Sequence, residues 1–270
     1  MSNLKGKIAV ITGCAAGIGK QIAIRFAEDG ANLAICDVNL EALRETARIC
    51  EEKGAEVLCM EANVKKPEDL ERFVEKTVAS FHTIDILVNN AHGGPLPDAK
   101  NVQAGFEEML TFMETPIEHY QHFIEGNLYS TIRMMHLCIP YMSGKRDASI
   151  INYSSCSSKG LNGLGMGRYA LGTAKGAVAV MSQLAAYELG QQNIRVNVIY
   201  PGAATDTIKA AIQEPAMLEQ VVSHLSKNPL HHAGDPYGDI APVVSFLASE
   251  DSKFMTGQCL YVNGGNWMAI

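Results

Sequence analysis

Three glycines follow the first predicted strand, and their spacing is typical of a loop that binds a dinucleotide. Residues 12–19 read T-G-C-A-A-G-I-G. Gly13 permits a tight turn, Gly17 lets a pyrophosphate approach the backbone, and Gly19 lets the next helix pack closely on the strand. That helix begins at Gly17, and its first residues, which include Ile18, present free N–H groups and the positive dipole end to the phosphates. The alternative is an ordinary strand–helix turn that contains glycine.

A carboxylate follows the second predicted strand. Asp37 lies about 20 residues beyond the glycine loop, where it can accept hydrogen bonds from both ribose hydroxyls and would repel a 2′-phosphate. No Arg or Lys stands at the surrounding positions, which are Cys14, Ala15, Ala16, Val38 and Asn39. We therefore predict NAD(H) rather than NADP(H) as the cofactor. Asn63 and Val64 are expected at the adenine, and Thr205 and Thr207 are candidates for binding the carboxamide or a phosphate.

Short apolar strand patterns alternate with longer helical patterns along the chain. The predicted strands are residues 7–12, 32–36, 56–61, 84–89, 149–153, 194–200 and 258–263. The predicted helices include residues 17–29, 40–53, 117–142, 169–189 and 236–248, and another begins at Pro67. This alternation implies parallel strands joined by right-handed crossovers. We expect an α/β fold with a single doubly wound Rossmann-type domain over residues 1–270. Its seven-stranded parallel sheet has the order 3-2-1-4-5-6-7, with helices on both faces and ligands beyond the carboxyl ends of the strands.

The composition limits the classes of partner. A formal charge of −7 argues against nucleic acid or an anionic membrane, and no stretch approaches the ~18 apolar residues of a membrane span. No secretory signal is readable at the N-terminus. Seven scattered cysteines without a C-x-x-C pair indicate reduced thiols and a cytoplasmic protein. The pair His231-His232 lacks partners at ligand spacing, so no metal is expected.

Several motifs in the same order resemble the short-chain dehydrogenase/reductase family. The resemblance extends from Lys7 to Gly265. Beyond the glycine loop it rests on Asn89-Asn90-Ala91, Gly126-Asn127-Leu128, Ser154-Ser155, Arg195-Val196-Asn197, Pro201-Gly202, Gly257-Gln258 and Val262-Asn263-Gly264-Gly265. It implies an enzyme that uses a nicotinamide cofactor on a small-molecule substrate, and a homo-oligomer, either a tetramer or a dimer.

The resemblance also implies a proton-transfer chemistry. Tyr169 would exchange a proton with the substrate oxygen, and its pKa would have to fall by about three units, roughly 4 kcal/mol. The ammonium of Lys175 and the nicotinamide ring would lower it. Ser155 would hold the substrate oxygen, and Asn127 would hold a water that links Lys175 to solvent. Cofactor contacts are implied for Asn90, Tyr169, Lys175, Pro201 and Gly202.

The spacing of the tyrosine and the lysine departs from the family pattern. The family places Tyr four residues before Lys, whereas Tyr169 stands six residues before Lys175, and Leu171 occupies the usual position. On a regular helix the two side chains would point to different faces. Tyr169 would reach the site if the helix began only around Gly172.

Two further positions leave alternatives open. Ser154, Ser155, Ser157 and Ser158 all lie near the end of the fifth predicted strand, and we prefer Ser155. His92 stands where the family usually has Gly. It is a candidate to contact substrate, the alternative being an ordinary loop histidine.

Residues 92–116 form a long insertion that we interpret as part of a substrate lid, or else as a peripheral or subunit-contact excursion. It carries Phe106, Met109, Leu110, Phe112 and Met113, and residues 217–225 are a candidate for the opposite wall. These side chains suggest an apolar, ring-containing substrate, such as a hydroxysteroid-like alcohol. The predicted activity is the interconversion of a secondary alcohol and a ketone. The alternatives are an enoyl-type C=C reductase and an NAD-binding protein with weakened catalysis.

Overall fold

The strands of the computed structural model form one parallel sheet. The structure describes residues 3–94, 110–142, 144, 147–159, 169–206, 215, 219, 222–223 and 226–267. The strands are β1 (Ile8–Thr12), β2 (Asn32–Asp37), β3 (Val57–Glu61), β4 (Ile86–Asn89), β5 (Ala148–Tyr153), β6 (Ile194–Pro201) and β7 (Cys259–Val262). All neighbouring pairs are parallel, and the order is β3-β2-β1-β4-β5-β6-β7. The predicted fold class and strand order are confirmed.

Helices cover both faces of this sheet. They are α1 (Gly17–Glu28), α2 (Leu40–Glu52), α3 (Pro67–Phe81), α4 (Ile117–Phe123), α5 (Ser130–Met142), α6 (Tyr169–Leu189) and α7 (Ala241–Ala248). Short 3₁₀ turns lie at Cys156–Lys159, Gly190–Gln192 and Glu250–Ser252, and a π-helical turn at Pro236–Ile240 precedes α7. Within the described residues no helix is long and apolar enough to cross a membrane. The single-domain organisation over residues 1–270 stays a prediction.

Strand side chains alternate between two buried clusters, one on each face. Ile11 of β1 belongs to the cluster that includes side chains of α1, α2 and α7, whereas Val10 belongs to the cluster that includes side chains of α3, α5 and α6. The central strands β1, β4 and β5 are buried along their whole length. Because both faces are covered, these strands can present polar side chains to a ligand only at their ends.

The predicted helix over residues 117–142 contains an irregularity that its apolar pattern does not reveal. The helix is continuous, but residues Ile124–Tyr129 form a π-helical turn between α4 and α5. A π turn adds one residue to a helical turn and leaves backbone groups to be satisfied by other partners. The turn contains Asn127.

The glycine loop packs against the end of β4 with almost no space to spare. A Cβ at Gly19 would lie 2.0 Å from the Gly13 carbonyl oxygen and 2.4 Å from Nδ2 of Asn90. The same Nδ2 donates to the carbonyl oxygens of Gly13, at 2.9 Å, and of Thr12, at 3.1 Å. Gly13 itself has a positive φ of 77°. Asn90 therefore clamps the loop that follows β1.

Gly19→Ala should destabilise the fold by about 3 kcal/mol or more, because the new methyl group meets backbone that cannot move without breaking the loop. The matched control is Gly190→Ala, where no atom lies within 4 Å of the added Cβ. We expect that control to change stability by less than about 1 kcal/mol. Urea unfolding of both variants provides the measurement, and equal midpoints would show that the loop is not close-packed.

Candidate active site

The N-terminus of α1 is suited to bind an anion. Ala16, the residue before the helix, offers no side chain that could cap it, and the first turn contains no acidic residue. Gly17 is buried with a positive φ of 57°. The N–H groups of this turn and the helix dipole are thus available to phosphate oxygens.

Asp37 joins the glycine loop to the end of β2. Its Oδ2 accepts a hydrogen bond from the backbone N–H of Ala15 at 3.0 Å, and its Oδ1 accepts from Asn39 at 3.1 Å. Each carboxylate oxygen keeps a further lone pair. The carboxylate is therefore fixed in orientation, as the binding of two ribose hydroxyls would require.

The other predicted cofactor residues surround the same edge of the sheet. Asn63 and the buried Val64 follow β3, next to Asp37, whose carbonyl accepts from Ala62 at 3.0 Å. Pro201 ends β6, and a Cβ on Gly202 would lie 2.7 Å from that of Asn263. Thr205 follows this turn, whereas Thr207 lies outside the described residues. Their contacts with a cofactor stay predictions.

Lys175 projects from α6 to the end of β5. Its side chain is 7% exposed, and its Nζ donates to the backbone carbonyl of Tyr153 at 2.9 Å. Burial lowers the pKa of this ammonium from 10.5 to about 8. Within the described part of the chain no carboxylate pairs with it. A desolvated cation is thus held at the carboxyl edge of the sheet, which favours a functional role.

Asn127 occupies the π-helical turn and is 1% exposed. Its Nδ2 donates to the carbonyl of Phe123 at 2.9 Å and lies 3.5 Å from that of His92. Its Oδ1 has no hydrogen-bond partner among the described residues. Because a buried amide oxygen seldom stays unpaired, this atom is suited to accept from a water or a ligand. The predicted water-holding role fits this geometry and stays a prediction.

The four candidate serines lie in a turn after β5, residues 154–158, which we call the serine turn. Their hydroxyls differ in the hydrogen bonds that they make. Ser154 is buried and donates to the Lys175 carbonyl at 2.9 Å, and Ser158 donates to the Ser155 carbonyl at 2.7 Å. Among the described residues, the Ser155 hydroxyl has only long contacts: 3.3 Å to the Ser157 backbone nitrogen, 3.4 Å to the Ser157 hydroxyl and 3.9 Å to Cys156 Sγ. The hydroxyls of Ser155 and Ser157 are therefore more readily available to a substrate oxygen than those of Ser154 and Ser158, and the preference for Ser155 stays a prediction.

Tyr169 does not share the face of α6 that carries Lys175. The helix begins at Tyr169, not near Gly172, so the spacing of six residues is fully helical. Six helical residues advance about 9 Å and leave the two side chains about 120° apart around the axis. Leu171, one turn before Lys175, packs with Phe123, Ala170 and Ala174. The condition under which Tyr169 would approach Lys175 is not met.

Two contacts here were not predicted from the sequence. The ring of Tyr169, which is 38% exposed, meets that of Phe112 edge-on with centroids 5.5 Å apart. Gly172 is where the serine turn touches α6, because an added Cβ would lie 2.7 Å from the Ser157 carbonyl oxygen. An unexplained glycine inside a helical pattern is the signal that could have revealed the second contact.

Part of the proposed lid is described. Phe112 and Met113 are exposed and Leu110 is half-buried, whereas Phe106 and Met109 lie outside the described residues. Most of the candidate opposite wall, residues 217–225, is also outside them. Among the described residues no cluster of three or more His, Cys, Asp or Glu side chains is arranged to bind a metal.

Lys175→Met should stabilise the protein at pH 7 by about 1 to 3 kcal/mol, since it removes a buried charge at the cost of one hydrogen bond. A lysine pKa lowered from 10.5 to about 8 destabilises the fold below pH 8. Between pH 8 and 10.5 the folded chain has released this proton while the unfolded chain still holds it, so the wild type regains stability as the pH rises. The difference between the two proteins should therefore shrink over that range.

Denaturant unfolding at a series of pH values measures this effect. The control is Lys76→Met, which removes the same charge from an exposed position of α3. A Lys175 variant that is no more stable than the Lys76 variant would argue against a desolvated ammonium.

The chain is similar to known proteins over nearly its whole length. A family model described as Enoyl-(Acyl carrier protein) reductase matches residues 13–266. The 7alpha-hydroxysteroid dehydrogenase of Escherichia coli K12 is 31% identical over 97% of this chain and 94% of its own. The 3-oxoacyl-(acyl-carrier-protein) reductase FabG of Thermotoga maritima is 34% identical over 97% of this chain and 98% of its own.

A solved structure shares the fold. A 7 alpha-hydroxysteroid dehydrogenase complexed with NADH and 7-oxo glycochenodeoxycholic acid superposes with a TM-score of 0.83 at 30% identity, covering 97% of this chain and 95% of the other. These similarities agree with the strand order, the glycine loop and the buried lysine described above. The chain belongs to the short-chain dehydrogenase/reductase family of oxidoreductases.

Proposed function

We propose that this protein is an NAD(H)-dependent oxidoreductase that interconverts a secondary alcohol and a ketone. The observation that carries the proposal is the buried ammonium of Lys175, placed at the carboxyl edge of the sheet without a carboxylate partner in the described chain. Burying a lysine is costly, and the fold gains nothing from it that an apolar side chain would not provide. A cofactor or substrate that needs a cation explains why it is retained.

The cofactor site is assigned to the residues around the first two strands. The uncapped start of α1 would hold the phosphates, and the carboxylate of Asp37 would hold the adenosine ribose. When bound, NAD(H) accepts or supplies the hydride. Ser155 would donate to the substrate oxygen, and Lys175 would stabilise negative charge that develops there. Asn127 would bind a water through its Oδ1.

The substrate is proposed to be apolar and to contain a ring, as in a hydroxysteroid. The rings of Phe112 and Tyr169 lie together at the start of α6, and Met113 is exposed nearby in sequence. Such side chains suit a flat apolar surface better than a charged one. The similarity to a hydroxysteroid dehydrogenase supports the same class.

A second candidate is the reduction of a carbon–carbon double bond. It is favoured by the description of the matching family model and by the absence of a tyrosine one turn before Lys175. A third, an NAD-binding protein with weakened catalysis, is favoured by the same displaced tyrosine. Both share the cofactor site with the first proposal.

A substrate panel separates the three candidates. We expect oxidation of secondary alcohols such as hydroxysteroids with NAD⁺, and reduction of cyclic ketones with NADH, at least tenfold faster than with NADP(H). The measurement is absorbance of the reduced cofactor. Turnover of enoyl thioesters alone would establish the second candidate, and NADH binding without any turnover would establish the third.

The cofactor preference should depend on the charge after β2. In the double variant Asp37→Ser/Val38→Arg we expect the ratio of NADH to NADPH affinity to fall at least tenfold, about 1.4 kcal/mol. Val38 is exposed and can accept the longer side chain. Asp37→Asn serves as the matched control, because it keeps an acceptor for the Ala15 N–H but loses the charge. Cofactor fluorescence measures both affinities; an unchanged ratio would exclude Asp37 as the discriminating group.

Self-association is proposed from the family resemblance. Val180, Leu184 and Tyr187 are exposed on α6 at helical spacing, which would suit a face covered by a second copy. Sedimentation that gives the mass of one chain would exclude it.

A further inference from the structure

His92 is held at the centre of the carboxyl edge of the sheet. It lies three residues beyond the end of β4, which pairs with β1 on one side and with β5 on the other. The Ala91 N–H donates to Oγ1 of Thr12 at 3.1 Å, which ties this segment to the end of β1. His92 is therefore placed between the strand that precedes the glycine loop and the strand that precedes the serine turn.

A glycine contact ties the other side of His92 to the π-helical turn. A Cβ on Gly93 would lie 2.5 Å from the Gly126 Cα, and one on Gly126 would lie 2.7 Å from the Gly93 Cα. The His92 carbonyl is also 3.5 Å from Nδ2 of Asn127. The backbone of His92 is thus in direct contact with the element that carries Asn127.

Part of His92 is exposed to solvent, and the protein around its imidazole partly dehydrates the ring. In the part of the chain that the structure describes, three titratable groups act on it: the ammonium of Lys175, the carboxylate of Asp37 and the imidazole of His122. Burial, and next the charge of Lys175, lower its pKa below 6.5. At pH 7 the ring is therefore neutral and able to accept a proton.

Apart from Lys175 itself, the described turn of α6 before it offers no side chain on that face that can exchange a proton with substrate. Leu171, one turn before Lys175, is apolar, and Tyr169 is directed about 120° away around the helix. A serine hydroxyl such as that of Ser155 is a poor base without a neighbouring acceptor. Catalysis at a hydroxyl or carbonyl needs such an acceptor within reach of the substrate oxygen.

We infer that His92 is the general base and acid of this site, in the role for which the family resemblance nominates Tyr169. The inference rests on the proposed function. In the oxidation, the neutral imidazole takes the proton of the alcohol O–H while the C–H hydrogen leaves as hydride to NAD⁺, so the products are ketone, NADH and an imidazolium that releases its proton to water. In the reduction, the imidazolium donates its proton to the carbonyl oxygen as the carbon receives the hydride.

The first test measures the environment of His92 without turnover. NMR titration of the imidazole signals gives the His92 pKa in the wild type and in Lys175→Met. The His92 signal is assigned from its loss in His92→Gln. We expect the His92 pKa to lie below 6.5 in the wild type and to rise by roughly 0.3 units or more when the Lys175 charge is removed. Identical pKa values in the two proteins would overturn the inference, because the two groups would then not share a site.

The second test compares turnover of the alcohol that the panel identifies. In His92→Gln we expect kcat for oxidation to fall about 100-fold or more with NADH affinity retained. In the wild type kcat/KM should fall as the pH drops below the His92 pKa, and the variant should lack this acidic limb. His136→Gln, at an exposed position of α5, is the control and should match the wild type.

Tyr169→Phe is the third variant in the comparison, and we expect its kcat to fall less than that of His92→Gln. A large fall in kcat in Tyr169→Phe, together with a wild-type pH profile in His92→Gln, would overturn the inference. The Tyr169 phenol would then be the group that exchanges the proton. In that outcome the enzyme still turns over, so the proposed function stands. If no alcohol or ketone in the panel reacts, the proposed function fails and the role of His92 fails with it.

Discussion

The candidate site depends on an ammonium group that the fold keeps out of water. Lys175 is buried where α6 crosses the end of β5, and its described hydrogen bond is to a backbone carbonyl, that of Tyr153. Dehydrating a cation is expensive, and a single neutral acceptor offsets only part of that cost. The rest must come from the packing of the sheet and helices around it, which hold the lysine in place before any ligand arrives. The buried charge lowers the stability of the fold, but it is preorganised at the point where ligands bind.

The neighbouring elements are arranged around that charge by close backbone contacts. Gly172 lets the serine turn touch α6, and Gly126 lets the loop after β4 touch the π-helical turn. These contacts bring Ser155, Asn127 and His92 to the same edge although they come from different parts of the chain. Below them a chain of buried hydrogen bonds links β4, β5 and α6: Nδ2 of Asn89 donates to Oδ1 of Asn152, and Nδ2 of Asn152 donates to the hydroxyl of Ser182. This network connects the ends of the strands to the helix that carries Lys175.

Most of the fold was predictable because its information is local. Apolar strands that alternate with amphipathic helices permit few topologies, and the observed strand order is the predicted one. Helix α6 begins and ends where its pattern does, at Tyr169 and Leu189. The π-helical turn at Asn127 was not predicted, since a single added residue leaves the apolar periodicity of a long helix almost unchanged. The sequence also could not show that the Asn90 amide clamps the glycine loop, because these hydrogen bonds join residues 77 and 78 positions apart.

The sequence by itself determined the family, the strand order, and the residue types that stand after each strand. It also recorded the anomaly, a tyrosine six residues before Lys175 and a histidine where the family has glycine. Only the tertiary structure decided what the anomaly means, because the directions of side chains depend on where a helix begins and on what packs beside it. By starting α6 at Tyr169, the fold turns the phenol away from Lys175 and toward Phe112. The folded chain also brings the backbone of His92 next to the π-helical turn that carries Asn127, a proximity that residues 35 positions apart in the sequence can acquire only through folding.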